Sequence, residues 1–299
     1  MVARRDRGAI AFVLAIALRS TVAGAAPATD SVPRRIVSTS PSVTETLFAL
    51  ELGPRVVGVS HYCRYPPAVL ELPKVGSFLK PDAEAIARLS PDLVLIQAKG
   101  DGLEGRLQAV SLRVAAVDRG AGLAGVYSSI AAVAEAAHVP ERGRTLSAEI
   151  EERLAALRRA AESGARPKVL LIVGRRPGTL SDIVAVGRRA YLGELLEIAG
   201  GRNVLDDPDL PEYPRVSLET IVRLRPDIII DTGDMGDTSA ERAENARANL
   251  ALWRASALVT AAGIRRIYAA TTDALVVPGP RVVEAAGWLQ SLIQDDRVP

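Results

Sequence analysis

The chain reads as an α/β protein of two similar lobes, each built on a parallel sheet, with one long rigid helix joining them. Three observations lead there. Its 299 residues, at roughly 100–200 per domain, imply two domains. The segment Glu84-Ala-Ile86-Ala-Arg88-Leu89-Ser-Pro91-Asp92-Leu-Val-Leu-Ile96 recurs 135 residues later as Glu219-Thr-Ile221-Val-Arg223-Leu224-Arg-Pro226-Asp227-Ile-Ile-Ile, with Glu, Ile, Arg, Leu, Pro and Asp identical. Between the copies, residues 145–161 place Leu146, Ile150, Leu154, Leu157 and Ala161 on one helical face, with Glu and Arg opposite.

The elements follow in order. Arg4, Arg5 and Arg7 precede a short apolar run over residues 8–18, and small residues over 22–26 offer a cleavage site, so residues 1–26 read as an export signal. The run is too short to span a bilayer, which needs about 20 residues. No cysteine lies near the cleavage region, so the expected product is periplasmic and not a lipoprotein. Residues 33–125 form the first lobe. It opens on the apolar strand Arg35-Ile-Val-Ser38, then a Pro-containing loop and a helix. Each copy of the repeat is a short helix, a Pro-Asp turn that stops it, and a strand apolar on both faces, as in helix-covered parallel sheets. Residues 126–166 make a helical connection, with the stiff helix over 145–161 preceded by Glu141-Arg-Gly-Arg144 and ended by Gly164-Ala-Arg-Pro167. Residues 167–299 form the second lobe, opening on Lys168-Val-Leu-Leu-Ile-Val173.

Composition excludes several functions. The single cysteine, Cys63, rules out a disulfide framework or a Cys-rich metal site, and His61 and His138 are too few and too differently placed for a His-based one. Setting aside four arginines and Asp6 of residues 1–26 turns 37 basic against 35 acidic residues into 33 against 34, so nucleic acid is not an expected partner. Gly120-Ala-Gly122-Leu-Ala-Gly125 fits the dinucleotide pattern literally, but it comes late in its lobe instead of at the first strand-helix turn, and a plain Gly-rich helix entry explains it. No G-x-S-x-G, HExxH or phosphate-binding loop is present, so the chain is expected not to be an enzyme. The alternative is an extracytoplasmic hydrolase or chelatase acting on a metal chelate with the same scaffold.

Ile36-Val-Ser-Thr-Ser-Pro41-Ser-Val-Thr44-Glu45, Val56-Val-Gly58, Tyr62-Cys-Arg-Tyr65-Pro66-Pro67, Pro73-Lys-Val75-Gly76, the two repeat copies, Glu194-Leu-Leu-Glu-Ile-Ala-Gly-Gly-Arg-Asn203, Tyr213-Pro-Arg-Val-Ser217 and Pro278-Gly-Pro280-Arg281 resemble, in order, the periplasmic binding proteins for vitamin B12, ferric siderophores and haem. The resemblance is strongest to the B12-binding branch. It implies two Rossmann-like lobes bridged by one helix, with a ligand cleft between them. It also implies a monomer that carries a corrinoid, ferric siderophore or haem to the permease subunits of an ABC importer, with no cofactor and no bound metal of its own. By resemblance, Glu84 and Glu219 dock onto arginines of those subunits. From spacing alone, each lies in a first helical turn after the candidate N-caps Asp82 and Ser217, where a carboxylate complements the helix dipole.

The cleft lies outside the C-terminal ends of the strands. Candidate ligand-binding residues there are Ser40, Tyr62, Cys63, Tyr65, Phe78, Gln97, Arg175, Arg176, Asp273 and Arg281, with Lys99, Asp234 and Met235 nearby in sequence. Tyr62 and Phe78 fall where the B12 binders carry aromatics, whereas Gln97 and Ala274 stand where further tryptophans would be. Arg175 and Arg176 either pair with a ligand's carboxylates or are solvated loop residues. His61 and Tyr65 have donor atoms that could reach a metal. Cys63 is either shielded or adjacent to the ligand.

Overall fold

The computed structural model describes residues 31–97, 102–233, 236, 238–264 and 266–294. The export signal and the candidates Lys99, Asp234 and Met235 lie outside the described residues.

Lobe one runs β1 (Ile36–Ser38), α1 (Pro41–Ala49), β2 (Val56–Val59), α2 (Ala83–Arg88), β3 (Leu93–Gln97), α3 (Leu103–Ala109) and β4 (Val114–Val117). Its four strands are all parallel, in the order β2-β1-β3-β4. The connection contains two helices, α4 (Gly122–Ala136) and α5 (Pro140–Ala161). Lobe two runs β5 (Lys168–Gly174), β6 (Ile183–Ala185), α6 (Tyr191–Ile198), β7 (Arg202–Asn203), β8 (Arg215–Val216), α7 (Leu218–Leu224), β9 (Ile228–Asp231), α8 (Ser239–Ala255), α9 (Ala257–Ala261), β10 (Arg266–Ala269) and α10 (Val282–Gln294). Its sheet has the order β10-β9-β5-β6-β8, with β7 pairing β5.

The sequence repeat is a structural repeat. Asp92 accepts the backbone N–H groups of Arg34 at 2.7 Å and Arg35 at 2.9 Å, and Asp227 accepts that of Lys168 at 2.7 Å. Each Pro-Asp turn therefore ties the end of a helix to the start of the lobe's first strand. Ser90 (φ 45) and Arg225 (φ 50) both adopt the left-handed conformation at matching positions. β3 then runs beside β1 from the pair Ile36–Leu93, and β9 beside β5 from Val169–Ile228.

Lobe two departs from an all-parallel sheet. After β5 the chain turns back at once, with Arg176 N–H donating to the Ser181 carbonyl at 2.9 Å, so β6 pairs antiparallel to β5 and β8 antiparallel to β6. So short a connection cannot supply the crossover a parallel pair needs. The long helix also begins five residues earlier than its apolar spacing predicts, because Pro140 sits in its first turn, where no N–H is needed. Its 22 residues span about 33 Å at about 1.5 Å per residue. Ile150, Leu154 and Ala161 are buried along the predicted face.

α4 is a second bridge. Leu123, Val126 and Ile130 enter the core of lobe two, whereas Val133, Ala134 and Ala137 enter that of lobe one. Its N-terminus, the Gly-rich turn, is occupied by the protein's own carboxylates: Glu194 accepts the Leu123 N–H at 2.9 Å, and Glu212 the Gly122 N–H at 3.3 Å. A helix N-terminus attracts anions, and here lobe two supplies them. Gly122 has φ 61, and a Cβ there would lie 2.2 Å from the Glu194 carboxylate. Gly122→Ala is expected to lower stability by about 2 kcal/mol, combining backbone strain with displacement of that cap, read as a lower thermal midpoint.

Candidate functional site

The site is built at the C-terminal ends of the parallel strands, where the two lobes meet. After β1 the chain passes Ser38, Thr39 and Ser40 and enters α1 through Pro41, which is in the helix's first turn. This entry is buried and polar. Thr44 Oγ1 donates to Ser38 Oγ at 2.9 Å, and Ser38 Oγ donates to the Ser40 carbonyl at 3.2 Å. After β2, residues 61–65 form one wall of the cleft. His61 N–H donates to the Gly76 carbonyl, placing Tyr62 beside Phe78 with ring centroids 5.4 Å apart in an edge-on contact. Tyr62 and Tyr65 both remain exposed.

At the seam lies a charged cluster that joins the lobes. Arg281, just before α10, donates from Nε to Glu45 Oε2 at 3.0 Å and from Nη2 to Oε1 at 2.5 Å. Its Nη1 donates to Asp273 Oδ1 at 2.8 Å. The Tyr65 ring covers the guanidinium at 4.2 Å from ring centroid to Cζ. Glu45 is 5% exposed and Arg281 7%. Burial pushes the Glu45 carboxyl up to about 7, against the pull of the Arg281 hydrogen bonds and charge. Burial also works against the Arg281 charge, but the hydrogen bonds and charges of Glu45 and Asp273 outweigh it and raise its pKa. The turn carrying Asp273 is held by Thr272, which accepts the Ala274 N–H, and by the Tyr191 hydroxyl, which donates to the Leu275 carbonyl at 2.7 Å. Glu45, Tyr65 and Arg281 line a pocket of about 370 Å³, together with Leu146, Ile150 and Arg153 of α5.

The structure thus brings Tyr65, Asp273 and Arg281 together and sets Tyr62 against Phe78. Gln97 ends β3, half-buried. Ser40 is buried at the entry to α1, with its hydroxyl 3.3 Å from that of Ser42.

Three of the candidate ligand contacts have partners within the protein. Cys63 is buried, 3.1 Å from Thr44 Oγ1 and 3.3 Å from Ser60 Oγ, and burial raises its thiol pKa. It therefore packs the wall from behind. Arg175 is an internal residue: its Nε donates to Asp231 Oδ2 at 2.9 Å, Nη1 to the Thr179 carbonyl at 3.0 Å, and Nη2 to Asn249 Oδ1. Arg176 pairs with Asp182 at 2.6 Å and braces the β5–β6 turn. Neither arginine is an unengaged anion receptor. Among the described residues, no group of three or more His, Cys, Asp or Glu side chains is placed to hold a metal ion. His138 instead accompanies Arg113, 2.9 Å from its Nη2.

Glu45 was legible as a lone charge. It sits in the apolar stretch 43–50 with no basic residue within a helical turn, so a buried partner had to come from elsewhere in the chain.

Glu84 and Glu219 occupy equivalent places. Glu84 follows Asp82, whose carboxylate accepts the N–H groups of Glu84 and Ala85 at 3.0 Å. Glu219 follows Ser217, which accepts the Thr220 N–H at 3.2 Å. Both glutamates are exposed, and the hydrogen bond with Ser217 holds the Glu219 carboxyl below its ordinary range.

Comparison with known proteins places this geometry. The crystal structure of the periplasmic vitamin B12 binding protein BtuF of Vibrio cholerae superimposes with a TM-score of 0.67 at 26% identity, covering 88% of this chain and 97% of that one. The periplasmic heme-binding protein RhuT from Roseiflexus sp. RS-1, in apo form, gives a TM-score of 0.69 at 27% identity, covering 87% and 99%. A Bacillus subtilis (strain 168) protein described as an ABC transporter substrate-binding lipoprotein, YvrC, is 27% identical over 272 residues, 88% of this chain and 81% of its own. The model of the family described as periplasmic binding protein matches residues 36–273, and the chain belongs to that family.

Proposed function

We propose that this protein is the solute-binding component of an ABC importer and that its ligand is a flat, metal-bearing macrocycle, a corrinoid before a haem. The observation that carries this reading is the set of partly exposed aromatics on lobe one: Tyr62 edge-on to Phe78, and Tyr65 stacked on Arg281 where the two lobes meet. Aromatic faces of this kind hold apolar, planar ligand surface. The similarity to a B12-binding protein and to a heme-binding protein supports the same class. An anionic ferric siderophore is less well supported, since Arg175 and Arg176 are already engaged within lobe two. The function is capture and release, and two bridging helices restrict the lobes to small adjustments. Residues 1–26 act as an export signal, so the ligand is met outside the cytoplasmic membrane. Glu84 and Glu219 then present one carboxylate per lobe to a membrane partner carrying two matching cationic sites.

Titration of the protein lacking residues 1–26 with cyanocobalamin, haemin and an anionic ferric siderophore tests the reading. Saturable one-to-one binding of one of the first two, with the ligand recovered unchanged, is expected. Tyr62→Ala should weaken that binding about tenfold, equivalent to about 1.4 kcal/mol. Binding of the siderophore alone, or conversion of any ligand, would overturn it.

A further inference from the structure

Glu45 and Arg281 lie 236 positions apart in sequence and on different lobes, yet they form a two-pronged hydrogen-bonded pair that is more than nine-tenths buried. Burying a carboxylate and a guanidinium is costly, and replacing such a pair by apolar side chains is often neutral or stabilising. Stability alone therefore does not account for it. Geometry offers a better reason. The pair fixes the guanidinium plane, and the guanidinium plane supports the Tyr65 ring at 4.2 Å. Tyr65 belongs to lobe one and Arg281 to lobe two, so this part of the cleft wall is complete only at one angle between the lobes.

We propose that Glu45 is a positioning residue of the cleft: acting through Arg281, it orients Tyr65 and sets the lobe angle at which the ligand wall is assembled. The proposal rests on the ligand reading above for what occupies the cleft, but not for the lobe angle. Protonation is a way to test it. The charged groups facing Glu45 are Arg281 and Glu284 at the start of α10, Asp273 on the preceding turn, Glu149 and Arg153 across the pocket on α5, and the phenols of Tyr65 and Tyr191. With its carboxyl pushed up from 4.5 to about 7, Glu45 is largely protonated at pH 6 and largely ionised at pH 8. A group with a raised folded-state pKa gives its full stability below its unfolded value and loses it as pH rises through the folded one. Stability should therefore fall slightly from pH 6 to 8. Probe affinity should rise over the same interval, because only the ionised carboxylate accepts both Arg281 bonds without donating. A purely structural role would not move the two in opposite directions.

The experiment compares wild type with Glu45→Gln. Affinity for cyanocobalamin and haemin is measured at pH 6 and 8, and nitroxide labels replacing the exposed Arg106 and Arg254 report the distance between lobes in the ligand-free protein. Wild type should bind about threefold to tenfold more tightly at pH 8 than at pH 6 and give one narrow distance distribution. Glu45→Gln should lose the pH dependence, bind at least fivefold more weakly at pH 8 and give a broadened distribution. An unchanged distribution, or retained affinity and pH slope, overturns the proposal. If wild type binds neither probe, the ligand reading fails, and the distance distribution alone decides whether Glu45 sets the lobe angle.

Discussion

Replacing Glu84 and Glu219 together by alanine is expected to reduce ligand uptake about tenfold or more, while leaving ligand affinity and fold intact. Both side chains stand on the surface, and Glu84 is 91% exposed, with Arg88 3.9 Å from it. Neither approaches the cleft cluster, so their loss removes no ligand contact. Each helix keeps its N-cap, because Asp82 and Ser217 make the capping hydrogen bonds. What disappears is one exposed carboxylate per lobe at positions related by the structural repeat. Charges at the edge of an interface govern encounter rate, register and salt dependence. The single variants should each give an intermediate defect that narrows as ionic strength rises, because salt screens the wild type's two contacts more than the variant's one. Uptake in cells and titration of the purified variants separate the outcomes: reduced affinity in the double variant would refute the docking role, as would normal uptake.

The architecture was legible where its cause is local. The Pro-Asp turn, the apolar runs of β3 and β9 and the stripe on α5 each follow from a few neighbouring residues. The start of α5 was less legible, because its first turn carries no apolar stripe and a proline there gives up no hydrogen bond. β6 and β8 were missed because three- and two-residue strands carry no periodicity to recognise. The site was legible only in part. Tyr62, Tyr65 and Phe78 announced themselves as aromatics in a chain with few. The fates of Arg175 and Arg281 depended on Asp231 and Glu45, which lie 56 and 236 positions away, and no local pattern records such pairings. Both arginines looked like ligand-binding residues for the same reason, a cation in a loop after a strand. Tertiary partners gave one a place inside lobe two and the other a place at the seam.

Asp231→Ala should be the most damaging single substitution in lobe two, costing about 3–5 kcal/mol, the range for breaking a buried ion pair and leaving one charge uncompensated. Asp231 is wholly buried, and the Arg175 side chain is 2% exposed. The carboxylate also accepts the Trp253 indole N–H at 2.7 Å and the Gly233 N–H at 2.7 Å, so alanine would strand three donors at once. In the repeat this position corresponds to Ile96 of lobe one, where the strand end is apolar and needs no partner. The duplication thus carries a polar knot in one copy only, linking the ends of β5 and β9 to α8. Asp231→Asn keeps an acceptor for Trp253 or Gly233 and should cost less than half as much. Arg175→Met should be milder than Asp231→Ala, because the carboxylate it leaves behind retains two donors. Urea denaturation of the three variants orders them. Since domains are stable by only about 5–15 kcal/mol in total, Asp231→Ala should also lower the soluble yield. Ligand affinity of Arg175→Met, measured below its unfolding transition, should match wild type. A selective loss of affinity for an anionic ligand would return Arg175 to the cleft.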